Sequence, residues 1–508
     1  MVRYRYPSLE NALYHQGRRG DISNLFLFPY NRGNSHQRPT NMKAIELINE
    51  SREFAAQELF FSTTDLKGHI QRANSVFQRI AGYSWNELNN KPHNIIRHPD
   101  MPRIVFQILW DHIQDGQPVV AFVKNLAHDG RYYWVVALVT PMPGGYLSVR
   151  FKPTSPLLAT IKTLYAELRS IEAAIESDSN DRKGAIAASG EALKKNLDAL
   201  GFANYDDFMG QVLKKEMQSR ESQLSALARY SSGGSAIEHA AASRTPALDS
   251  LRTSAEMFDK QVEVLNTLFG DLEAYVGISQ GVREKSGGVT DISESLRVSA
   301  LNGVIAVDRL GAKAAGLRPV LDWLRALSGE ISQTGIRLSE SLDELVRDVD
   351  RVVFGLSAAK LQIEMTAQFA HELVDHACAG EVKTGHDRMT EGAVGILHSS
   401  SCDTVRGALG GLEAIKRRLK VLTESQSRLL DTSNSLRPVY LTGKIEMADV
   451  AGAKLSAVFH DVGEQLQETG ANLDGLRDVL RELDSHLDRG LAHGARVEQT
   501  IMQIDSHL

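Results

Sequence analysis

The chain has 508 residues, a hydrophobic fraction of 42% and a formal net charge of -6 at pH 7. A chain of this length is too long to fold around a single hydrophobic core, so several domains are expected. The mild acidity gives no reason to expect nucleic acid as a partner, because nucleic-acid binding depends on clustered positive charge. The two cysteines, Cys378 and Cys402, exclude a disulfide scaffold, fit a reducing cytosol and lack metal-ligand spacing, so no metal site is predicted.

No segment of the sequence predicts a membrane-spanning helix. The longest uncharged run in the first third, residues 135–149, contains two prolines and two glycines and therefore predicts strands and a turn. The N-terminus has no apolar stretch followed by a small-residue cleavage site, so no secretory signal is predicted. Residues 1–54 are expected to form a flexible leader and an N-terminal cap helix, and the protein is expected to be cytoplasmic.

The segment 55–154 has the pattern of a small α+β domain, in which an antiparallel sheet is combined with helices. Strands are predicted in FFSTTD and HIQRA, with a turn at Asp65–Gly68 between them. Helices are predicted in SVFQRIAGYSWNEL and in RIVFQILWDHIQDG, the second of which ends at Gly116. Asp129 and Gly130 predict a hairpin turn between two further strands, and GYLSVRFKP predicts a last strand.

Proline use separates this domain from the rest of the chain. Ten of the 14 prolines precede residue 154, and only three lie beyond Pro156. Because proline breaks helix interiors, its scarcity predicts long helices in the later part. Breaks between these helices are predicted near Gly233-Gly234, Gly410-Gly411 and Leu436–Pro438.

The last 54 residues carry the repeat of a helix that packs against other helices. Core positions at alternating steps of four and three run from Leu455 to Leu487 and resume from Val497 to Leu508. Such a heptad run demands a partner helix. It therefore predicts an all-α helical bundle or coiled coil, with a homodimer as the default assembly.

Six polar or aromatic residues of the first domain could bind a large planar ring that carries phosphates. They are Asn74, Arg97, His98, Asp100, Trp110 and Asn125. A guanidinium pairs with phosphate oxygens, an indole stacks on a ring, and amides hydrogen-bond ring carbonyls. The same residues could instead cap a helix and hold a loop together, as an aspartate before Met101-Pro102 commonly does.

The motif KPHNIIRHPDMP, followed by FQILW and VKNLAHDGRYYWV, resembles the PAS domain of the bacterial aerotaxis receptor family. Members of that family bind FAD non-covalently and report redox or energy state to the chemotaxis machinery. The resemblance implies a PAS sensory domain over residues 55–154, with the same six residues contacting FAD. One departure is Val119, which follows Pro118 where the family pattern often has a tryptophan.

Residues 289–332 are similar to the hairpin tip of methyl-accepting chemotaxis proteins, in which two antiparallel helices meet at a turn. That tip contacts a histidine kinase and its coupling protein. The similarity implies connecting helices over 155–280, a degenerate tip over 281–345 and a bundle or coiled-coil return arm over 346–508. The implied partner contacts are Asn302, Ile305, Arg309 and Gly311.

These features predict a cytoplasmic receptor that senses redox or energy state, and not an enzyme, because no catalytic constellation or nucleotide-phosphate loop is found. A second hypothesis keeps the fold without FAD. In it the PAS domain serves dimerisation or small-ligand binding and the helices hold a partner outside chemotaxis. Val119 favours this hypothesis, as do Ala306 and Ala312, which replace the acidic residues usual at the turn of the tip. A third hypothesis is haem binding through His93 or His98.

Overall fold

The computed structural model describes residues 45–231, 246–311, 316–378, 392–447 and 453–507. They form a five-stranded antiparallel sheet with small helices, followed by a long all-helical region, which confirms the predicted fold class. The strands are β1 (Phe60–Asp65), β2 (Ile70–Ala73), β3 (Val119–Leu126), β4 (Tyr132–Met142) and β5 (Gly145–Phe151). The helices of the first domain are α1 (Ser75–Ala81), α2 (Trp85–Leu88) and α3 (Arg103–Gln114), with a 3-10 turn at His93–Ile96. The later helices are α4 (Leu157–Ser179), α5 (Arg182–Ala199), α6 (Tyr205–Ser231), α7 (Pro246–Gly270), α8 (Leu272–Leu310), α9 (Arg318–Cys378), α10 (Ala393–Glu446) and α11 (Ala453–Asp505).

The sheet has the order β2-β1-β5-β4-β3, and helices cover both of its faces. Successive strand residues point to opposite faces, so each face acquires its own core. Phe60 packs on Phe77 of α1 on the inner face, while Phe61 meets Phe369 of α9 edge-to-face on the outer one, with ring centroids 4.9 Å apart. Burial on both sides explains why the strands read as nearly continuous apolar runs.

The hairpin turn predicted at Asp129-Gly130 joins β3 and β4. Gly130 has a φ of 89°, and the backbone oxygen of Glu46 lies where a Cβ would stand. Both the backbone conformation and the lack of space for a side chain therefore require glycine at this position. Residues 45–54 run beside this hairpin without forming a helix, and Ile48 donates its N–H to the Gly130 carbonyl at 2.8 Å. Residues 45–54 therefore do not contain the cap helix that was predicted in 1–54, and residues 1–44 lie outside the described residues.

The later helices include an antiparallel four-helix bundle built within one chain. The first arm is α7 followed by α8, and the other arms are α9, α10 and α11. Arm α8 packs on α9 and α11, and α10 packs on the same two helices. With 61 residues, α9 is about 90 Å long at 1.5 Å per residue, and its C-terminal part reaches the sheet.

The heptad core positions of α11 are buried, as the repeat predicts, from Leu455 to Ile504. The helices that bury them are α7, α8 and α10 of the same chain. A second copy is therefore not needed to cover this apolar stripe, and the sequence argument for a homodimer loses its physical basis. The assembly state stays a prediction.

Two of the predicted helix breaks are wrong, because α10 continues through Gly410-Gly411 and through Pro438. Gly411 faces α9 so closely that a Cβ would lie 2.5 Å from Cγ2 of Val352, so this glycine permits helix contact. Pro438 is exposed, and water can bind the carbonyl that lost its helical donor. The break predicted at Gly233-Gly234 lies outside the described residues.

Among the described helices, none combines the length and the apolar composition that a membrane crossing needs.

Candidate ligand-binding site

A cavity of about 120 Å³ lies between the inner face of the sheet and α3. Its walls are mainly apolar, with contributions from Phe106, Leu109, Trp110, Val123 and Val139. Its polar lining includes Asn94, Arg97, Asn125, Tyr146, Ser148 and Arg150. Apolar walls with a few convergent polar groups are typical of a small-molecule site.

Three of the six predicted contact residues line this cavity, namely Arg97, Trp110 and Asn125. The Trp110 indole packs perpendicular to the Tyr146 ring, with centroids 5.6 Å apart. Gly68, with a φ of 81°, lies against the indole so closely that a Cβ there would be 3.2 Å from the ring. Trp110 is therefore held between two fixed surfaces as one flat wall.

Arg97 is held at the cavity edge by aromatic and backbone contacts. Its guanidinium stacks over the Phe106 ring at 4.1 Å from the centroid, and Nη2 donates to the Met101 carbonyl at 3.1 Å. Burial, assisted by the nearby Arg103, lowers the pKa of Arg97 to about 10. Arg97 therefore stays charged at neutral pH and can face an anionic ligand group.

The other three predicted residues lie elsewhere. Asn74 is buried as the N-cap of α1, where its Oδ1 accepts the Phe77 N–H at 3.2 Å and its Nδ2 donates to the Leu59 carbonyl at 3.1 Å. His98 and Asp100 do not line the cavity, although they follow Arg97 closely in the chain.

Asp100 lines a surface groove together with Lys124, and the buried His98 lies beside them. Lys124 donates to Asp100 at 2.6 Å, and the Asp100 N–H donates to Nδ1 of His98 at 3.2 Å. Burial and then the charge of Lys124 lower the pKa of His98 to about 4, so its imidazole is neutral at neutral pH. These contacts match the alternative in which the residues hold the loop together.

Arg150 is a cavity residue that the sequence reasoning missed. It lies on β5, is 3% exposed, and its Nη2 donates to Nε2 of His93 at 2.6 Å and to Oγ of Ser62 at 3.0 Å. Within the described residues no carboxylate lies at ion-pair distance from it. Burial lowers the pKa of Arg150 to about 10, and burial together with Arg150 lowers the pKa of His93 well below 6.5. A single arginine inside the apolar run GYLSVRF is the sequence signal that could have revealed it.

Among the described residues that line the cavity, three have a buried polar atom without a hydrogen-bond partner. These atoms are Nδ2 of Asn125, Oγ of Ser148 and Nη1 of Arg150. All three residues line the cavity. A buried donor without a partner costs about 1–3 kcal/mol, which an accepting ligand would recover. These atoms, with the flat wall of Trp110, fit the polar edge and the ring face of a flavin.

The outer face of the same sheet is bonded to α9. Nε2 of Gln362 donates to Oγ1 of Thr140 on β4 at 2.9 Å, and Glu372 accepts the Ser75 N–H at the start of α1 at 2.7 Å. Gln368 accepts the Leu59 N–H at 3.3 Å just before β1. Strands β4 and β5 therefore have the cavity on one side and a helix of the bundle on the other.

The predicted partner contacts lie together near the C-terminal end of α8. Asn302, Ile305 and Arg309 share one helix face, and all three are exposed, as is Gly311 where the helix ends. Helices α8 and α9 pack as an antiparallel pair around this end, which is the geometry of a hairpin. Binding of a partner there stays a prediction.

The PAS fold family matches residues 70–146, within the domain that contains the cavity. The aerotaxis receptor of Escherichia coli K12 is 40% identical over 114 residues, which are 22% of this chain and 22% of that receptor. The nitrogen fixation regulatory proteins of Klebsiella pneumoniae and Klebsiella oxytoca are each 28% identical over 160 residues, or 31% of this chain and 32% of theirs. The first domain is thus a PAS domain similar to those of signal-transduction sensors.

The chain matches only about a fifth to a third of these relatives' length. The similarity of residues 289–332 to the tip of a chemotaxis receptor stays a prediction.

Proposed function

We propose that this protein is a cytoplasmic signal-transduction receptor and not an enzyme, whose PAS domain binds FAD and responds to redox or energy state. The unpaired buried donors of Asn125 and Arg150 in the cavity carry the proposal, because they can donate to the accepting atoms of a bound ligand. The name of one relative, an aerotaxis receptor, supports the sensory part of the proposal.

Each cavity residue then has a defined part in binding. FAD, when bound, would supply a redox centre whose hydrogen-bonding edge changes with its oxidation state. Asn125 and Arg150 would donate to that edge, Trp110 would cover a ring face, and Arg97 would offer a positive charge to the anionic portion. His93 stays neutral beneath Arg150 and fixes the guanidinium by accepting from it.

The signal would leave the cavity through the sheet. Arg150 faces the cavity while its strand neighbours Val149 and Phe151 face the helices, so a shift of β5 changes both sides at once. On the outer side, Gln362 and Phe369 connect the sheet to α9. Packed helices have discrete alternative arrangements, and a small bias at one end selects among them along the bundle.

The test is the absorbance spectrum of the full chain purified gently, followed by extraction and identification of any flavin. We expect flavin bands in the wild-type protein, their loss in Asn125→Ala, and their retention in Asp100→Ala, which alters an exposed residue outside the cavity. A colourless wild-type protein that also fails to take up added FAD would refute flavin binding. A haem Soret band would instead support gas sensing through haem.

A second candidate function is supported by Val119. This residue is fully buried and pairs with Val139 in the β3–β4 register, so the cavity has no aromatic wall at that point. A cavity without that wall also suits a small non-flavin ligand, with the helices holding a partner outside chemotaxis. Binding of a small ligand by colourless protein would favour this function.

The proposed output partners are a chemotaxis histidine kinase and its coupling protein, contacting the exposed face of α8. Ile305 is 43% exposed on that face. Ile305→Glu should abolish co-purification of these partners, whereas Ile336→Glu, on α9 and 44% exposed, should not. Co-purification that survives Ile305→Glu would place the contact elsewhere.

A further inference from the structure

Two helices of the bundle bring together three groups that are all metal ligands. His398 and Cys402 lie one turn apart on the same face of α10, and Asp505 lies at the last turn of α11. Nε2 of His398 is 3.0 Å from Oδ1 of Asp505 and 3.5 Å from Sγ of Cys402. All three donor atoms lie within 4.8 Å of one another.

These distances suit a tetrahedral divalent ion. Zinc binds sulfur at about 2.3 Å and nitrogen or oxygen at about 2.0–2.2 Å, so its ligand atoms lie roughly 3.3–3.6 Å apart. The Nε2–Oδ1 and Nε2–Sγ separations of 3.0 and 3.5 Å are within a few tenths of an ångström of that range. The third pair of donor atoms is at most 4.8 Å apart, and rotation of the half-exposed Asp505 side chain would bring it into the range. A thiolate, an imidazole and a carboxylate form a ligand set that zinc accepts, with water as the fourth ligand.

The surroundings leave the site both supported and accessible. His398 and Cys402 are buried, whereas the Asp505 side chain is 52% exposed and opens a path to solvent. Arg406 approaches the other carboxylate oxygen, Oδ2 of Asp505, at 3.7 Å, so it can orient that carboxylate while leaving Oδ1 available. Phe258 of α7 packs against the imidazole, with ring centroids 5.4 Å apart.

We propose that His398, Cys402 and Asp505 bind one Zn²⁺ ion, which joins the beginning of α10 to the end of α11. Phe258 and Ile504 beside the site belong to the same apolar core as the outer face of the sheet. The ion would therefore stabilise the end of the bundle that receives the PAS domain.

The experiment uses the full chain, stripped of metal by a chelator and titrated with Co²⁺ and with Zn²⁺. Co²⁺ bound by a thiolate gives a charge-transfer band in the near ultraviolet, and Zn²⁺ should displace it at one ion per chain. We expect Cys402→Ser to remove the band. Asp505→Asn should weaken binding at least tenfold, since losing a group that merely orients a ligand already costs about 10- to 100-fold. Zn²⁺ should also raise the Tm of the wild-type protein.

The matched control is Cys378→Ser, which changes the other cysteine and should leave the band unchanged. Asp505→Asn alters a half-exposed residue, so its effect on binding can be measured even if Cys402→Ser disturbs packing. Absence of the band in wild-type protein, or its persistence in Cys402→Ser, would overturn the proposal. Binding that Asp505→Asn leaves unchanged would overturn the three-ligand site.

Discussion

A buried carboxylate on α4 is expected to hold the helix that forms one wall of the cavity. Glu172 is fully buried, and its oxygens accept the Arg103 N–H at 2.8 and 2.9 Å and the Ile104 N–H at 3.1 Å. Oγ of Ser189 donates to the same carboxylate at 3.0 Å. Glu172 thus satisfies the free N–H groups at the beginning of α3, where the helix dipole also favours negative charge.

The substitution Glu172→Gln keeps the size of the side chain and removes the charge. An amide NH₂ group would then face backbone donors, so at least one hydrogen bond at the start of α3 is lost. Hydrogen bonds to a charged group contribute about 1.5–3 kcal/mol each, and an N-terminal cap contributes about 1 kcal/mol. We therefore expect the free energy of unfolding to fall by about 2–4 kcal/mol.

The assay is urea unfolding followed by tryptophan fluorescence, since Trp85, Trp110 and Trp134 lie in the PAS domain. Glu167→Gln is the matched control, because Glu167 is an exposed residue on the same helix and its loss should change stability by less than about 0.5 kcal/mol. Equal effects of the two substitutions would refute the reasoning. If α3 is held as described, Glu172→Gln should also weaken retention of a ligand in the cavity.

Three further predictions concern the packing and the pH response. Phe369→Ala should destabilise the protein by about 3–5 kcal/mol in urea unfolding, because it removes the ring that packs on Phe61 of the sheet and leaves a cavity there. Gly410→Ala should stabilise α10 by about 0.5–1 kcal/mol, whereas Gly411→Ala should destabilise it by about 1–3 kcal/mol, because only Gly411 faces a stiff side chain, that of Val352. Stability should fall as the pH drops from 6.5 to about 4, because the unfolded chain binds a proton at His98 that the folded protein excludes.

Each of these has an outcome that contradicts it. A loss below about 1 kcal/mol in Phe369→Ala would mean that the sheet and α9 do not share a core. If Gly410→Ala and Gly411→Ala changed the stability in the same direction, the proposed close contact between Gly411 and α9 would be contradicted. His98→Gln should make the pH dependence less steep, so an unchanged slope in that variant would assign the effect to other groups.

Several elements carry local signals that can be read from the sequence. The β1 segment, the hairpin at Asp129-Gly130 and the heptad repeat of α11 depend on neighbouring residues, and each is found where it was predicted. The motif around Arg97 also located the PAS domain. Such features are readable because turn conformation and helical periodicity are properties of a few consecutive residues.

Which residues meet depends on the tertiary fold. That fold places Arg97 at the cavity and the next residue, His98, outside it, and it brings Arg150 from the last strand to the same cavity. The heptad stripe of α11 is covered by helices of its own chain, because antiparallel connections return them to it. Likewise, Asp505 reaches Cys402 only because two long helices run side by side, and contacts between residues so distant in sequence leave no local pattern.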